Sequence, residues 1–467
     1  MHSMGEVAES PQLTQGLGFL GAISVVAGTM IGTAIFVVPS MMLGHVGSPA
    51  NVLAVWALAG ILSLFGALGY AELGAAMPEA GGEYVYLRHA YGPALGFLYA
   101  WTQFVVAKSA SIAAIATGFL LYLAYFFPQL ANSWKIKLPW AGHGVSFELS
   151  GLQVGSALVI VLLSALNVAG VRRSGAAQTL FTAAKLLVLG LLIVLGFALG
   201  NGSFRHFASS LCPWPLGTHV AGWGAATIAA LWAYDGWNNL SMVAGEVRNP
   251  RRNVPAALIL GTLLVCVVYV LVNLAYFYLL EPREVLNTQT VAADAARRLM
   301  GGLGGGFVAL GVLLSTFATL NGSILAGSRI PFAAARDGLF PPPLAHVSPR
   351  FRTPSAAILA QAVVAGLFAL SGRYETLYTK AIYSEWVFYV LVTAGLLVLR
   401  RKEPALSRPY RTWGYPAVPV FFVLLGLGLL ATTFFSNRSD AVWCVILIVS
   451  GLPVYYLWNV RYRRSAP

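Results

Sequence analysis

Charged residues are scarce in this chain. Asp, Glu, Lys and Arg make up 10% of its 467 residues, where an ordinary soluble domain carries about 25%. Too few polar side chains remain to coat a water-exposed surface, which excludes a soluble globular enzyme. Cysteine is nearly missing too. Cys212, Cys266 and Cys444 are far apart and at no metal-ligand spacing, so they read as small residues in or near helices. Residues 1–16 contain no Lys or Arg; they lack the charged start of a cleavable signal peptide and read as a short polar tail. The strings HExxH, GxSxG and the phosphate-binding loop are absent, and most of the seven histidines fall in loops or tails. A membrane enzyme would need clustered His, Asp or Ser at one interface, so no catalytic residue, cofactor or metal is expected.

Long apolar runs take the place of charge. Hydrophobic residues make up 58% of the chain, in stretches of about 20 residues that recur along its length, the signature of membrane helices. The reading is an all-α polytopic membrane protein with 12 transmembrane helices, its partner being the lipid bilayer. A net charge of +13 does not point to nucleic acid. With both termini cytoplasmic, about 17 of the 29 Lys and Arg fall in cytoplasmic segments, about 9 outside, and about 3 (Lys108, Lys185 and Arg329) in or at the ends of spans. Arg172-Arg173, Arg248, Arg251-Arg252, Arg400-Arg401-Lys402 and Arg461 with Arg463-Arg464 are the main anchors.

Two spans are badly built for unbroken helix. Span 6, about residues 220–247, carries Leu231-Trp-Ala-Tyr-Asp-Gly-Trp-Asn-Asn-Leu240. Asp235 costs about 2.5–3.5 kcal/mol to bury in hydrocarbon and Gly236 weakens a helix by about 1 kcal/mol. Span 1, about residues 17–43, has Gly28 and Gly32 around Thr29 and Thr33, then Pro39. Broken backbone at membrane depth survives only inside protein or along a watery cavity. Spans 1 and 6 are five apart, an odd number, so the halves of the chain run oppositely. The expected architecture is an inverted 5+5 repeat with discontinuous helices 1 and 6, plus two C-terminal helices. Its parts are a tail (1–16), a first five-helix repeat (17–200), a second inverted one (218–400) and helices 11 and 12 (416–460). Residues 281–300 alternate Val285, Val291, Ala295 and Leu299 with charged side chains, which reads as a helical lid outside the bilayer. Residues 128–150 read as an external loop. Glu72, Glu246 and Glu385 are expected near span ends, paired with loop arginines, and Lys108 is expected to snorkel or make a structural bond.

Several strings, taken in order, resemble the amino acid–polyamine–organocation superfamily and within it the L-type amino acid transporter family. They are Ile31-Gly-Thr-Ala-Ile-Phe36, Tyr70-Ala-Glu-Leu-Gly74 with Pro78-Glu-Ala-Gly-Gly-Glu-Tyr-Val-Tyr86, Ala233-Tyr-Asp-Gly-Trp-Asn238 with Glu246-Val-Arg-Asn-Pro250, Ala335-Arg-Asp-Gly338 and Arg408-Pro-Tyr-Arg-Thr412. One departure is Ala34, where the family often has glycine. The resemblance implies a secondary transporter of neutral L-amino acids, an exchanger, in the plasma membrane (the bacterial inner membrane). Eukaryotic members carry a cysteine in the external loop between spans 3 and 4 that links a glycoprotein. No cysteine lies between Phe127 and Ser150 here, so no disulfide-linked heavy subunit is expected.

An amino acid zwitterion needs an anion site and a cation site a few Å apart. Free N–H groups at the restart of span 1, over Met30, Ile31, Gly32, Thr33 and Ala34, suit the carboxylate. Free C=O groups at the first end of span 6, over Trp232, Ala233, Tyr234 and Asp235, suit the ammonium. By the resemblance, Trp232 is an aromatic gate, Asn238 faces the side-chain pocket, and the span 5 lysine, Lys185, reaches the span 1 break where sodium-coupled relatives hold Na⁺, which implies sodium independence. Asp235 has two readings: an N-cap of the restarted helix, or a counter-charge for a cationic substrate or proton. The alternative function is therefore a proton-coupled or cationic amino acid or polyamine carrier.

Overall fold

The computed structural model describes residues 15–137, 146–169, 174–209, 211, 216–351, 353–371, 374–436 and 438–465. The polar tail up to residue 14, Arg172-Arg173 and Cys212 lie outside these. Among the described residues ten helices are long and apolar enough to cross a membrane. A shorter apolar helix, Ser355–Ser371, and the interrupted helix Leu216–Tyr234 stand beside them.

Span 1 is two helices. α1 (Phe19–Met30) stops, and α2 (Ala34–Val46) starts after three non-helical residues. α3 (Pro49–Ala76) begins at Ser48, whose hydroxyl accepts the Asn51 N–H at 3.2 Å, with Pro49 at the first helical position where its missing N–H costs nothing. α4 (Glu83–Tyr91) is a short helix between spans 2 and 3, and Gly92 separates it from α5 (Pro93–Thr102). Span 3 is not one regular helix: Gln103–Ala107 winds as a π segment before α6 (Lys108–Leu123). The loop after it holds an antiparallel hairpin, β1 (Ser133–Lys137) with β2 (Ser146–Ser150), Ser133 facing Ser150. This is a departure from an all-α chain. α7 (Gly151–Val168) follows from a capping box of Ser150 and Gln153, and α8 (Ser174–Leu199) carries Lys185.

Span 6 is likewise two pieces, α9 (Leu216–Tyr234) and the short α10 (Asn239–Met242). α11 (Pro250–Leu279) leads to α12 (Pro282–Leu286) and α13 (Val291–Gly327). Gly301, at φ 67°, kinks α13 and sets off its first turns. There Val291, Ala295 and Ala296 are buried while Arg297 and Arg298 are exposed, the two-faced packing that the segment's pattern calls for. α14 (Arg329–Arg336), α15 (Ser355–Ser371), α16 (Tyr374–Lys402), α17 (Ala417–Ser436), α18 (Arg438–Val449) and α19 (Gly451–Ser465) complete the chain.

α2 lies along α9 and α1 beside α10, so the broken spans run antiparallel to each other. α13 and α16 pack against them, and α6 meets span 1 where Gly118 lies beside Thr33. The outer helices α7 and α8 expose Leu158, Leu162, Leu166, Leu187 and Val194, rows suited to lipid. Buried polar groups concentrate on the broken pair and its neighbours.

Candidate substrate site

The two breaks touch. Helical bonding in span 1 ends with the Ile31 N–H on Ala27 O (3.0 Å), and the Gly32 N–H folds back to Met30 O (2.8 Å). The Thr33, Ala34 and Ile35 N–H groups find no acceptor among the described residues, while Phe36 N–H returns to Thr33 O at 3.0 Å. A helix start leaves such donors open by construction, and its dipole makes them attractive to an anion. In span 6 the Asp235 N–H reaches only Trp232 O, at 3.2 Å. Gly236 then takes φ +108°, and a Cβ there would sit 3.0 Å from the Thr29 carbonyl carbon. Only glycine gives both the turn and the close approach.

Side chains fasten the contact. The Thr29 hydroxyl lies 2.8 Å from Gly236 O and 2.7 Å from Val25 O. The Tyr269 hydroxyl, from α11, lies 2.8 Å from Met30 O and 3.0 Å from Ala233 O, bridging the two breaks. Lys185 fills the back of span 1. Its Nζ donates to Ile31 O (2.7 Å), Gly28 O (2.8 Å), Thr319 Oγ1 (3.0 Å) and Ser315 O (3.2 Å), with the side chain 2% exposed. One ammonium thus ties α1, the break and α13 together.

Between the breaks lies a small cavity, about 350 Å³ when its open mouth is counted with it. Met30, Gly32, Thr33, Ala34, Trp232 and Asp235 all line it. The Trp232 indole N–H donates to the Tyr374 hydroxyl at 3.0 Å, and its ring stacks on Tyr378 at 6.0 Å. The floor is ionic. Asp235 accepts the Tyr389 hydroxyl at 2.7 Å. Lys108 donates to Asn239 Oδ1 at 3.1 Å and pairs with Glu385 at 3.5 Å.

Four expected positions are elsewhere. The backbone groups of Ile31 and Ala233 are already engaged, the Ile31 N–H on Ala27 O, its carbonyl by Lys185 and the Ala233 carbonyl by Tyr269. Tyr234 points away, donating to Trp56 O at 3.1 Å. Asn238 does not face the pocket: its amide donates to Glu83 Oε1 at 2.6 Å, and Asn239 lines the cavity in its place. The helix is interrupted at Gly236 between Tyr234 and Asn239, so a continuous helical register does not foresee which side chain enters the cavity. The cap reading of Asp235 is corrected too, because α10 starts from Asn238, whose side chain makes no cap bond. Glu385 is not at a span end; it sits within α16, fully buried, and accepts from Gln103 at 2.8 Å. Lys108 makes a structural bond and does not snorkel. Glu72 does pair with Arg400 (2.7 Å) and Arg408 (3.4 Å), and Glu246 with Arg329 (3.4 Å).

Tyr269, Thr319, Ser323, Ser111 and Asn239 escape a reading of the sequence. Each is an ordinary residue in an apolar span; only the meeting of helices makes Thr319, Ser323, Ser111 and Asn239 polar lining and sets the Tyr269 hydroxyl between the two breaks. Tyr269→Phe removes a hydroxyl that bonds a carbonyl of each span beside its break. At about 0.5–1.5 kcal/mol for a lost hydrogen bond, substrate binding weakens roughly 3–10-fold while the yield of folded protein is kept. Titrating substrate against the purified variant checks this, and unchanged affinity would assign Tyr269 to packing alone.

Residues 17–456 match the family model described as amino acid permease. The chain is 32% identical to the mouse b(0,+)-type amino acid transporter 1 over 455 residues, 96% of this chain and 89% of that protein. It is also 32% identical to the serine/threonine exchanger SteT of Bacillus subtilis over 451 residues, 96% of this chain and 98% of the relative. The human cystine/glutamate transporter matches at 31% over 461 residues, 97% of this chain and 87% of that protein. A match along nearly the whole chain, on a helical membrane fold whose broken spans frame a small cavity, shows that this chain belongs to the amino acid permease family and is a transporter, not an enzyme.

Proposed function

We propose that this permease exchanges neutral L-amino acids across the plasma membrane, without sodium, by alternating access. The observation that carries the reading is the meeting of the two breaks. Open N–H groups at Thr33 and Ala34 face the cavity from one side, and the end of α9 from the other. The α-carboxylate belongs on the first and the α-ammonium on the second, with Trp232 closing over them. Exchange is supported by the Bacillus subtilis relative, a serine/threonine exchanger. Sodium independence is supported by Lys185, whose ammonium already occupies the carbonyls of Gly28 and Ile31 against α13. The same reading takes twelve crossings, the ten long helices with α9/α10 and α15 added, arranged as two inverted five-helix repeats (17–200 and 218–400). It takes both termini as cytoplasmic and the membrane as a bacterial inner membrane. No disulfide-linked subunit is proposed, since the sequence has no cysteine in residues 128–150.

A cationic substrate or a coupled proton at Asp235 is the second reading, favoured by the exposure of that carboxylate to the cavity floor. Lys108 lines the same floor, which supplies a positive charge already and favours the neutral substrate. Asp235→Asn keeps the Tyr389 contact and separates the two. Neutral amino acid exchange stays within about threefold of the parent, less than 1 kcal/mol. Complete loss for neutral substrates would move the assignment to the second reading. The primary test is a thermal-shift screen over the common amino acids and polyamines, followed by counterflow in proteoliposomes with and without internal amino acid. Stabilisation by small neutral L-amino acids and a need for internal substrate are expected. Stabilisation by polyamines alone would overturn the reading.

A further inference from the structure

Beneath the cavity floor the buried charges do not balance. Glu83 and Glu385 are at 0% exposure, Asp235 is half-buried at the cavity, and Lys108 is the cation among them. An uncompensated carboxylate in so dry a place takes up a proton rather than stay charged. Two amide–carboxylate pairs share one pattern: Gln103 with Glu385, whose second oxygen has Lys108 at 3.5 Å, and Asn238 with Glu83, the pair without that cation. The Asn238 amide N–H donates to Glu83 Oε1 at 2.6 Å, yet Glu83 Oε2 and Asn238 Oδ1 are both buried with no partner. Both orphans are acceptors, and one proton between them satisfies both; the neutral donor beside Glu83 is the buried Tyr99 hydroxyl. Among the described residues no three His, Cys, Asp or Glu groups converge as metal ligands, so a metal ion is a poorer fit to the vacancy in the charge balance.

Glu83 stands where α4 meets span 6. It opens α4, on the cytoplasmic side of the bundle in the topology proposed above. Gly82 before it, at φ +48°, lies so close to span 6 that a Cβ would meet the Ser241 carbonyl carbon at 2.8 Å, and the Gly81 N–H donates to Met242 O at 3.0 Å. Further along α4, Tyr84 donates to Asp337 at 2.6 Å and Arg88 pairs with the same carboxylate. These contacts close the cytoplasmic face, and they must part for substrate to leave. We propose that Glu83 binds a proton from the cytoplasm each time that face closes, its protonated Oε2 donating to Asn238 Oδ1, and returns the proton when the face opens. No net proton crosses the membrane; cytoplasmic acidity sets how readily the carrier closes.

The titratable groups facing Glu83 are Tyr70 from α3, Tyr86 from α4 itself, Tyr99 from α5, Lys108 from α6, and Glu385 and Tyr389 from α16. The tyrosines stay neutral, and Lys108 is already engaged by Glu385. Burial pushes the Glu83 carboxyl up to about 7; the Asn238 N–H and Lys108 oppose that rise and Glu385 adds to it. Opened to water the carboxyl returns to about 4.3. The closed form therefore binds the proton more tightly, and its advantage is lost as pH rises from about 4.3 to about 7, with no further change above.

A proton at Glu83 governs the cycle only if the carrier alternates between faces, so one arm of the test reads the proton directly and needs no transport. Infrared spectra of the purified protein should show the carbonyl stretch of a neutral carboxylic acid that fades with a midpoint near 7 and is missing in Glu83→Gln. If Glu83→Gln fails to fold, Glu83→Asp should keep the band with its frequency and midpoint moved. A band that survives unchanged in either variant would place the proton on another carboxyl and overturn the proposal. So would no band at any pH, or a sodium-dependent stabilisation that Glu83→Gln abolishes. In the second arm, exchange by the parent slows on the order of tenfold as internal pH goes from about 5.5 to about 7.5, while Glu83→Gln holds the parent's acidic rate throughout. A parent rate that ignores internal pH, or a Glu83→Gln profile that matches the parent's, would also overturn it.

Discussion

Lys185→Ala slows exchange by about a hundredfold or more while substrate affinity stays within about threefold, and the physics of the buried ammonium is the reason. The ammonium shares its three protons among four oxygens on two elements, Gly28 and Ile31 of span 1 and Ser315 and Thr319 of α13. Hydrogen bonds to a charged group contribute about 1.5–3 kcal/mol each, and an acceptor left bare in a dry interior costs a comparable amount. Alanine strips the span 1 break of the tie that joins it to α13. The open N–H groups of Thr33 and Ala34 are not partners of Lys185, so the substrate's carboxylate site survives in outline. What is lost is the coupling of that site to the element that must move. Counterflow of a labelled amino acid gives the rate, and a thermal-shift titration gives the affinity. Fast exchange by Lys185→Ala would remove the mechanical role assigned here.

The second large effect is on stability. Lys108→Met leaves Glu385 with only the Gln103 amide and leaves the cavity floor without its cation. Breaking a buried pair on one side costs about 3–5 kcal/mol, far more than replacing both partners by groups of similar shape. Lys108→Met should therefore show a marked fall in melting temperature in detergent and in folded yield. Lys108→Met with Glu385→Gln should recover most of it, because no bare charge remains. Equal damage from the single and the double variant would mean that shape, not charge, is what Lys108 supplies.

The membrane class and the two interruptions are legible in the sequence because each is a violation. Long apolar runs cannot be hidden, and Gly32 beside polar Thr33, or Asp235 beside Gly236, is out of place in a lipid-facing helix. Lys185 is legible for the same reason: a charge in mid-span must meet something. The floor of the cavity is not legible, and three local causes account for that. The π segment at Gln103–Ala107 shifts the register of span 3, so Lys108 and Gln103 turn inward together toward Glu385. The helix is interrupted at Gly236, and Asn239 rather than Asn238 enters the cavity. Tyr269 looks like any aromatic residue of an apolar helix until two carbonyls arrive at its hydroxyl. The hairpin in the loop after span 3 is illegible for a further reason. It pairs residues up to seventeen apart, Ser133 with Ser150, and a loop composition says nothing about pairing at that distance.

A structure of the carrier with a small neutral L-amino acid bound tests the central claim most directly. The account predicts the carboxylate within hydrogen-bond distance of the Thr33 and Ala34 N–H groups, the ammonium toward the carbonyls that end α9, and the Trp232 ring closed over both. Ligand density away from the junction of Gly32 and Gly236, or a ligand held by side chains with the two interruptions untouched, would contradict it.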